Sequence, residues 1–148
     1  MQIITTCSKP VIAEINGVAT AAGCQLVASC DLAIASDLSK FATPGVNIGL
    51  FCSTPMVALS RNVSKKDAMK MLLTGDMIDA AEAKRISLIN DHVSPEKLND
   101  SVMSLARKIA NKPLSTLKIG KEAFYRQHEM SLTEACLLYT SPSPRDRG

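Results

Sequence analysis

The 148-residue sequence contains no tryptophan, and aromatic side chains make up only 3% of it. Lysine and arginine residues are scattered, with no basic run that has interleaved aromatics, so a nucleic-acid partner is not expected. No apolar run reaches the roughly 18 residues that a membrane span needs. With 46% hydrophobic residues, 21% charged residues and a net charge of +3, the composition is typical of one soluble globular domain.

The cysteines have no metal-binding spacing. They are Cys7, Cys24, Cys30, Cys52 and Cys136. Their number is odd, no Cys-x-x-Cys pair occurs, and the two histidines lie far apart along the chain, so no metal site is expected. Cys24 and Cys30 belong to an apolar stretch of small residues, where a reduced, buried thiol is the usual interpretation. The pattern fits a reducing compartment.

The two ends of the sequence differ from the folded part between them. The first ten residues, MQIITTCSKP, lack the charged and apolar regions of a signal peptide and the arginines of a transit peptide. We expect this segment to run almost at once into a strand. At the other end, TSPSPRDRG contains two prolines within three residues and cannot continue a helix. Residues 140–148 are therefore predicted to be a disordered tail.

Two stretches of small residues follow predicted strands. NGVATAAGCQLVASCD covers residues 16–31, and FATPGVNIGLFCSTP covers residues 41–55. The first is predicted to leave a buried strand, KPVIAEING, through a turn and to form a helix from about Ala21 to Cys30. DLAIAS and SKFATP are predicted to be two further strands, the second ended by Pro44. Small residues at a strand-to-helix junction indicate that a ligand approaches the backbone closely.

The second half of the sequence predicts helices with clear end signals. Ser64 and Asp67 have capping-box spacing before a helix that ends at Gly75, and Asp79 caps a shorter helix in DAAEAKRIS. LINDHV is predicted to be a strand. Three more helices are predicted: one after Ser94 and Pro95 with Leu98, Val102, Leu105 and Ile109 on its apolar face, one over 113–127, and one starting with Ser131 and Glu134.

Three segments together resemble the enoyl-CoA hydratase/isomerase (crotonase) superfamily. They are KPVIAEINGVATAAGCQLVASCDLAIAS, FATPGVNIGLF and LLTGDMIDAAEAKRISLINDHV, in the order and spacing of that family. The resemblance covers residues 9 to about 135, which we expect to form a partial crotonase-like domain. It implies an α/β fold, a spiral of β-β-α units with C-terminal helices, and a mitochondrial location in fatty-acid metabolism. Family members are nearly twice this length, so the spiral is expected to be incomplete, lacking its N-terminal part.

The resemblance also implies a ligand, an acyl-CoA thioester, with no other cofactor and no metal. In the family, two backbone N–H groups hold the thioester carbonyl, an oxyanion hole to which a helix N-terminus adds partial positive charge. One donor corresponds to Ala22, and the other belongs to the N-terminal half. The other expected substrate-binding residues are Val18, Ala21, Gln25, Pro44, Gly45 and Ser53. Family members usually form trimers or hexamers.

Hydration of an enoyl thioester needs two carboxylates, one to take a proton from water and one to protonate carbon. The family's two glutamates correspond to Gln25 and Gly45, neither of which exchanges a proton near neutral pH. We therefore expect no catalytic residue and no hydratase activity. Two alternatives stay open: an enzyme with a substitute base, for which Glu14 and Asp31 are weak candidates, or a non-enzymatic fragment that acts through partner contacts. Cys52, Ser53 and Thr54 are expected in a loop after the third strand, with Cys52 as a small residue in the wall of the acyl-chain site.

Overall fold

The computed structural model describes residues 2–140. The strands are β1 (Ile12–Ile15), β2 (Val18–Thr20), β3 (Leu32–Ser36), β4 (Lys40–Ala42), β5 (Ile78–Asp79) and β6 (Asp91–Val93). The α-helices are α1 (Gln2–Thr6), α2 (Ala22–Ser29), α3 (Ser53–Leu59), α4 (Lys65–Thr74), α5 (Ala80–Arg85), α6 (Pro95–Ala110), α7 (Leu114–Gln127) and α8 (Leu132–Thr140), and a 3-10 helix spans Pro44–Ile48. The residues 141–148 of the predicted tail lie outside the described part.

Two consecutive β-β-α units stack on each other. The first contains β1, β2 and α2, and the second contains β3, β4 and α3. Their first strands pair in parallel, with Ile12 opposite Leu32, and their second strands also pair in parallel, with Val18 opposite Lys40. The two three-stranded sheets have the orders β1-β3-β6 and β2-β4-β5. This arrangement gives the expected α/β spiral, of which these residues form two turns.

Most predicted helix ends are confirmed. The Ser64 side chain accepts a hydrogen bond from the Asp67 N–H, Gly75 takes a left-handed conformation after α4, and the Asp79 side chain accepts from the Glu82 N–H. Ser94 makes no such side-chain bond at α6, although Pro95 begins that helix as predicted. On α6, Leu98 and Val102 are buried with Ile34 of β3, while Leu105 and Ile109 are half-buried.

Four elements differ from the sequence predictions. The N-terminal residues form α1 instead of running into a strand, and the strand predicted in LINDHV is confined to Asp91–Val93. At Gly17, φ is +136°, and the chain turns there from β1 into β2, which belongs to the other sheet. The segment after Pro44 that was expected to be a loop contains a 3-10 helix and then α3. Pro55 does not prevent α3 from forming, because it lies in the first turn, where no backbone N–H is needed.

The core lies between α2, the sheets and helices α3 to α5. Its members with almost no exposed surface include Phe41, Leu59, Leu72 and Ala83. None of the helices within residues 2–140 is long and apolar enough to cross a lipid bilayer.

Candidate functional site

The two small-residue junctions lie side by side. β2 and β4 are parallel neighbours, with Thr20 opposite Ala42, so the segments that follow them leave the sheet at the same edge. After β2 the chain enters α2, and after β4 it enters the 3-10 helix. Ala22 corresponds to the family's oxyanion donor and Gly45 to one of its glutamates. Both residues therefore follow strands that end at the same edge of the β2-β4-β5 sheet.

Ala21 links β2 to α2 in a conformation that L-residues seldom adopt. Its φ is 47° and its ψ is −112°. Its N–H donates to the Ala42 carbonyl at 3.0 Å, and its carbonyl accepts from the Gln25 N–H at 3.0 Å. Because both of its peptide groups are held by neighbouring elements, Ala21 remains in a region that glycine would adopt without strain.

The Ala22 N–H is available to a ligand. Ala22 is the first residue of α2, and the N–H groups of a first helical turn have no intrahelical acceptor. Among residues 2–140 this N–H donates no hydrogen bond. The Ala22 side chain is exposed. A backbone donor at the positive end of an eight-residue helix can stabilise an oxyanion, provided that a second donor completes the site.

Gly45 is enclosed by the chain that follows it. Its N–H donates to the Cys52 Sγ at 3.3 Å, and its carbonyl accepts from the Leu50 N–H at 2.9 Å. A Cβ atom at position 45 would lie 2.7 Å from the Leu50 carbonyl oxygen and 2.9 Å from the Cys52 Sγ. Any side chain here, a glutamate included, would displace this segment. The family's second carboxylate is thus excluded by backbone packing as well as being absent from the sequence.

Gln25 lies on α2 one turn after Ala22 and is half-buried. Residues three apart on a helix share a face, so its side chain lies on the same face of α2 as the Ala22 side chain. An amide at this position can donate and accept hydrogen bonds, but it cannot take a proton from water near neutral pH.

The candidate substitute bases are engaged elsewhere or exposed. The Asp31 carboxylate accepts from Lys121 Nζ at 2.7 Å, from the Tyr125 hydroxyl at 2.7 Å and from the Val11 N–H at 2.6 Å. Glu14 is exposed on β1 and accepts from the Asn99 side chain at 3.4 Å. Asp31 therefore serves to attach α7 to the first β-β-α unit, and neither carboxylate extends from the junction residues.

Lys121 is satisfied by three acceptors in this attachment. Besides Asp31, its Nζ donates to the carbonyls of Ile4 at 2.8 Å and Lys9 at 3.0 Å. The side chains of Lys121 and Asp31 are only 8% and 15% exposed. Burial, followed by the hydrogen bond to Asp31, raises the pKa of the Tyr125 hydroxyl above its usual value. We call Asp31, Lys121 and Tyr125 the α7 anchor.

The thiols near the junction differ in burial. Cys24 on α2 is 1% exposed, and burial, with a smaller contribution from neighbouring Cys52, raises the pKa of its thiol to about 12. It is therefore unreactive near neutral pH. Cys52 is half-buried and immediately precedes α3, so it lies at a helix end and not in the loop predicted for it. Thr43, between β4 and Pro44, is fully buried, and its hydroxyl has no hydrogen-bond partner among residues 2–140.

A groove of about 480 Å³ runs along β1, β2 and one face of α2. It is lined by every residue from Val11 to Ala19, by Gly23, Leu26 and Val27 of α2, by Cys30 directly after α2, and by Ile4 of α1. Of the expected substrate-binding residues it includes Val18 but none of Ala21, Ala22 and Ser53. Ser53 is the first residue of α3, and Pro44 the first of the 3-10 helix. One cavity shared by all these residues stays a prediction.

The sequence alone did not reveal the enclosure of Gly45. Its contacts come from a carbonyl and a thiol five and seven residues further on, in a segment that was expected to be a loop. One available signal was the short spacing between Pro44, which begins the 3-10 helix, and Pro55, which lies in the first turn of α3. Within residues 2–140, no three His, Cys, Asp or Glu side chains are grouped as metal ligands would be.

Comparison with known proteins agrees with the resemblance noted in the sequence. The family model described as enoyl-CoA hydratase/isomerase matches residues 1–139. Enoyl-CoA hydratase domain-containing protein 3, mitochondrial, from Xenopus laevis is 52% identical over 145 residues, which is 91% of this chain and 49% of the relative. The human protein of the same name is 50% identical over 147 residues, 93% of this chain and 48% of the relative.

Solved structures show the same fold. The crystal structure of the human protein has a TM-score of 0.90 at 51% identity and covers 94% of this chain and 55% of that one. An enoyl-CoA hydratase from Mycobacterium smegmatis has a TM-score of 0.91 at 48% identity, covering 93% and 54%. The expected crotonase fold is confirmed, and the names of the relatives agree with the expected mitochondrial location. The chain spans about half the length of the curated relatives it matches. It belongs to the enoyl-CoA hydratase/isomerase family.

Proposed function

We propose that this chain contributes one half of a site that binds an acyl-CoA thioester and does not hydrate it. The observation that carries the proposal is the enclosure of Gly45, where a Cβ would lie 2.7 Å from the Leu50 carbonyl oxygen. A family position that has lost its carboxylate by a simple substitution would leave room for the side chain. Here the following segment has closed over the glycine, so no acid or base can extend from this position.

The proposed role of the remaining residues is to bind the thioester carbonyl. The Ala22 N–H, at the N-terminus of α2, would donate one hydrogen bond to the carbonyl oxygen. The second donor would come from the N-terminal half of the fold, as the resemblance implies. Gln25 would present a neutral amide to the acyl chain. General acid–base steps typically contribute about 10² to 10⁴-fold each, so the loss of both carboxylates removes hydratase activity.

An enzyme with a substitute base is the second candidate. It is not favoured by the described carboxylates, because Asp31 is held in the α7 anchor and Glu14 is exposed on β1. We further propose that the protein acts in the mitochondrion, in fatty-acid metabolism, as a trimer or a hexamer.

The third candidate, a fragment acting only through partner contacts, would bind no acyl-CoA.

Calorimetry on a chimaera tests the proposal. In the chimaera, the N-terminal segment of the human relative, up to the residue aligned with Lys9, replaces residues 1–9 of this chain. Butyryl-CoA is expected to bind, and the S-butyl thioether of CoA, which lacks the carbonyl oxygen, is expected to bind about tenfold more weakly, since a neutral hydrogen bond contributes about 0.5–1.5 kcal/mol. Equal affinity for the two ligands would contradict an oxyanion site, and no binding of either would favour the third candidate.

Ala21→Gly is expected to stabilise the chimaera by about 1 kcal/mol. A strained backbone position of this kind costs roughly 1–3 kcal/mol, and glycine would relieve that strain. Glycine also raises the conformational entropy of the unfolded chain, which offsets part of the gain in stability. Chemical denaturation measures the change. Ala22→Gly is the matched control, because Ala22 has ordinary helical geometry and glycine there should cost up to about 1 kcal/mol. Equal destabilisation by both variants would show that Ala21 is not strained.

A further inference from the structure

The sequence contains a single Asn-Gly pair, Asn16–Gly17, at the corner where β1 turns into β2. Asparagine loses its side-chain amide most readily before glycine, because glycine has no Cβ to hinder the attack of its own nitrogen on the amide carbon. With φ at +136°, Gly17 adopts a conformation that other L-residues seldom take, so the corner favours this pair. The Asn16 side chain is exposed, and within residues 2–140 it makes no hydrogen bond that would restrain it.

One hydroxyl holds the peptide groups on both sides of Asn16. The Gly17 N–H donates to the Ser39 Oγ at 3.2 Å, and the same hydroxyl donates to the Ile15 carbonyl at 2.9 Å. A serine hydroxyl has one proton and two lone pairs, so it can make both bonds at once. Ser39 is 0% exposed, which keeps water from competing for them. We call these two bonds the Ser39 clamp, and together they limit rotation of the backbone at Asn16.

The clamp is itself fixed by the stacking of the two β-β-α units. Ser39 lies between β3 and β4, and its N–H donates to the Ser36 carbonyl at 2.9 Å. The N–H of the next residue, Lys40, donates to the Gly17 carbonyl at 3.2 Å, and Lys40 is the residue of β4 that lies opposite Val18 of β2. The Ser39 hydroxyl therefore stays at the corner between β1 and β2 as long as β2 and β4 are paired.

Deamidation at this corner begins with the proton that the clamp holds. Hydroxide removes the Gly17 N–H proton, and the nitrogen bonds to the amide carbon of the Asn16 side chain. The side-chain nitrogen takes a proton from water and leaves as ammonia, which restores the hydroxide. Water then opens the cyclic imide at one of its two C–N bonds, which gives aspartate or isoaspartate. Isoaspartate adds one carbon to the main chain and a negative charge, and it would shift β2 against β4.

We propose that Asn16 is a deamidation site and that the buried Ser39 hydroxyl slows its reaction in the folded protein. Two steps require the clamp to open, because the Gly17 nitrogen must lose the proton that it donates to Ser39 and must then turn toward the Asn16 side chain. One hydrogen bond of ordinary strength corresponds to about a tenfold change in an equilibrium. The proposal does not depend on acyl-CoA binding or on the proposed function.

Incubation of the folded chimaera at mildly alkaline pH tests the proposal, with mass spectrometry of the peptide that contains residue 16 and an assay for isoaspartate. Ser39→Ala is expected to raise the deamidation rate of Asn16 about tenfold or more. Ser36→Ala is the matched control, because the Ser36 hydroxyl is also 0% exposed but accepts from the Leu38 N–H at 3.1 Å. It is expected to leave the rate unchanged. Equal rates in the two variants would overturn the proposal.

Hydrogen exchange at the Gly17 amide of the wild-type chimaera is a second measurement, and it needs no variant to fold. Hydroxide catalyses this exchange by removing the same proton as in deamidation, so both reactions report opening of the clamp. The Gly17 amide is expected to exchange about tenfold or more slowly than in a peptide with the sequence of residues 12–20, and Asn16 to deamidate more slowly by a similar factor. Exchange or deamidation as fast as in the peptide would contradict the proposal.

Discussion

Gly45→Ala is expected to destabilise the chimaera by about 1–3 kcal/mol, the usual cost of forcing an extra carbon into a packed site. The added Cβ would approach the Leu50 carbonyl oxygen to 2.7 Å, and a backbone oxygen cannot turn aside as a flexible side chain can. The segment that contains Leu50 and Cys52 would have to move. Chemical denaturation of the two proteins measures the difference.

Gly120→Ala is the matched control. Gly120 lies within α7, and a Cβ there would meet no atom within 4 Å. Alanine is expected to stabilise this helix by about 0.5–1 kcal/mol through its higher helix propensity. Opposite signs for the two glycine substitutions are therefore expected. If Gly45→Ala were as well tolerated as Gly120→Ala, the enclosure of Gly45 would be wrong, and with it the main support for a site without carboxylates.

The same enclosure bears on any attempt to restore hydratase activity by Gln25→Glu with Gly45→Glu. A positive φ at Gly45 would have been one reason for failure, but Gly45 is not among the positive-φ residues. The obstacle is steric, because glutamate has the same Cβ as alanine. Cys52→Ala would remove the sulfur at 2.9 Å and leave the Leu50 oxygen in place, so it should relieve the crowding only in part.

Lys121→Met is expected to destabilise the chimaera by about 3–5 kcal/mol, the cost of breaking a buried ion pair by removing one partner. Methionine keeps much of the apolar stem of lysine but leaves the Asp31 carboxylate, 15% exposed, without its cation. In this chain Lys121 also donates to the carbonyls of Ile4 and Lys9, which the chimaera replaces, so the loss expected in the chimaera comes from Asp31. Thermal and chemical unfolding would measure the loss, and the attachment of α7 to Asp31 should loosen first.

Lys84→Met provides the comparison, since Lys84 also pairs with an aspartate at 2.7 Å, but with both side chains about half exposed. Exposed pairs of this kind contribute only about 0–1 kcal/mol. If Lys121→Met lowered the free energy of unfolding no more than Lys84→Met does, the prediction would be wrong. The α7 anchor would then contribute little, and apolar contacts would hold α7.

The sequence predicted those elements whose defining residues lie close together along the chain, and it missed those that depend on distant contacts. Helix α4 was predicted with both ends, because Ser64, Asp67 and Gly75 act within a few residues of the helix they delimit. The strand β2 was not separated from β1, since three residues after Gly17 carry too little pattern and their pairing with β4 is a tertiary event. Helix α1 was missed because its β-branched residues, Ile3 to Thr6, favour a strand.

The candidate site shows the same division. The family spacing identified Ala22, Gln25 and Gly45, and chemistry alone showed that the last two cannot transfer protons. The contacts of Gly45 with Leu50 and Cys52 depend on how the 3-10 helix leads into α3, which no residue pattern specified. The α7 anchor joins Asp31 to side chains 90 and 94 residues away, a distance at which one sequence gives no pairing information.

The most direct test of the account is the hydration of crotonyl-CoA by the chimaera, followed by the loss of the enoyl absorbance, with butyryl-CoA binding to the same sample as proof of a formed site. The account predicts binding without turnover, because neither Gln25 nor Gly45 can move a proton and removal of each acid–base group costs about 10² to 10⁴-fold. Turnover within about 10²-fold of a working hydratase, in a sample free of contaminating enzyme, would contradict it.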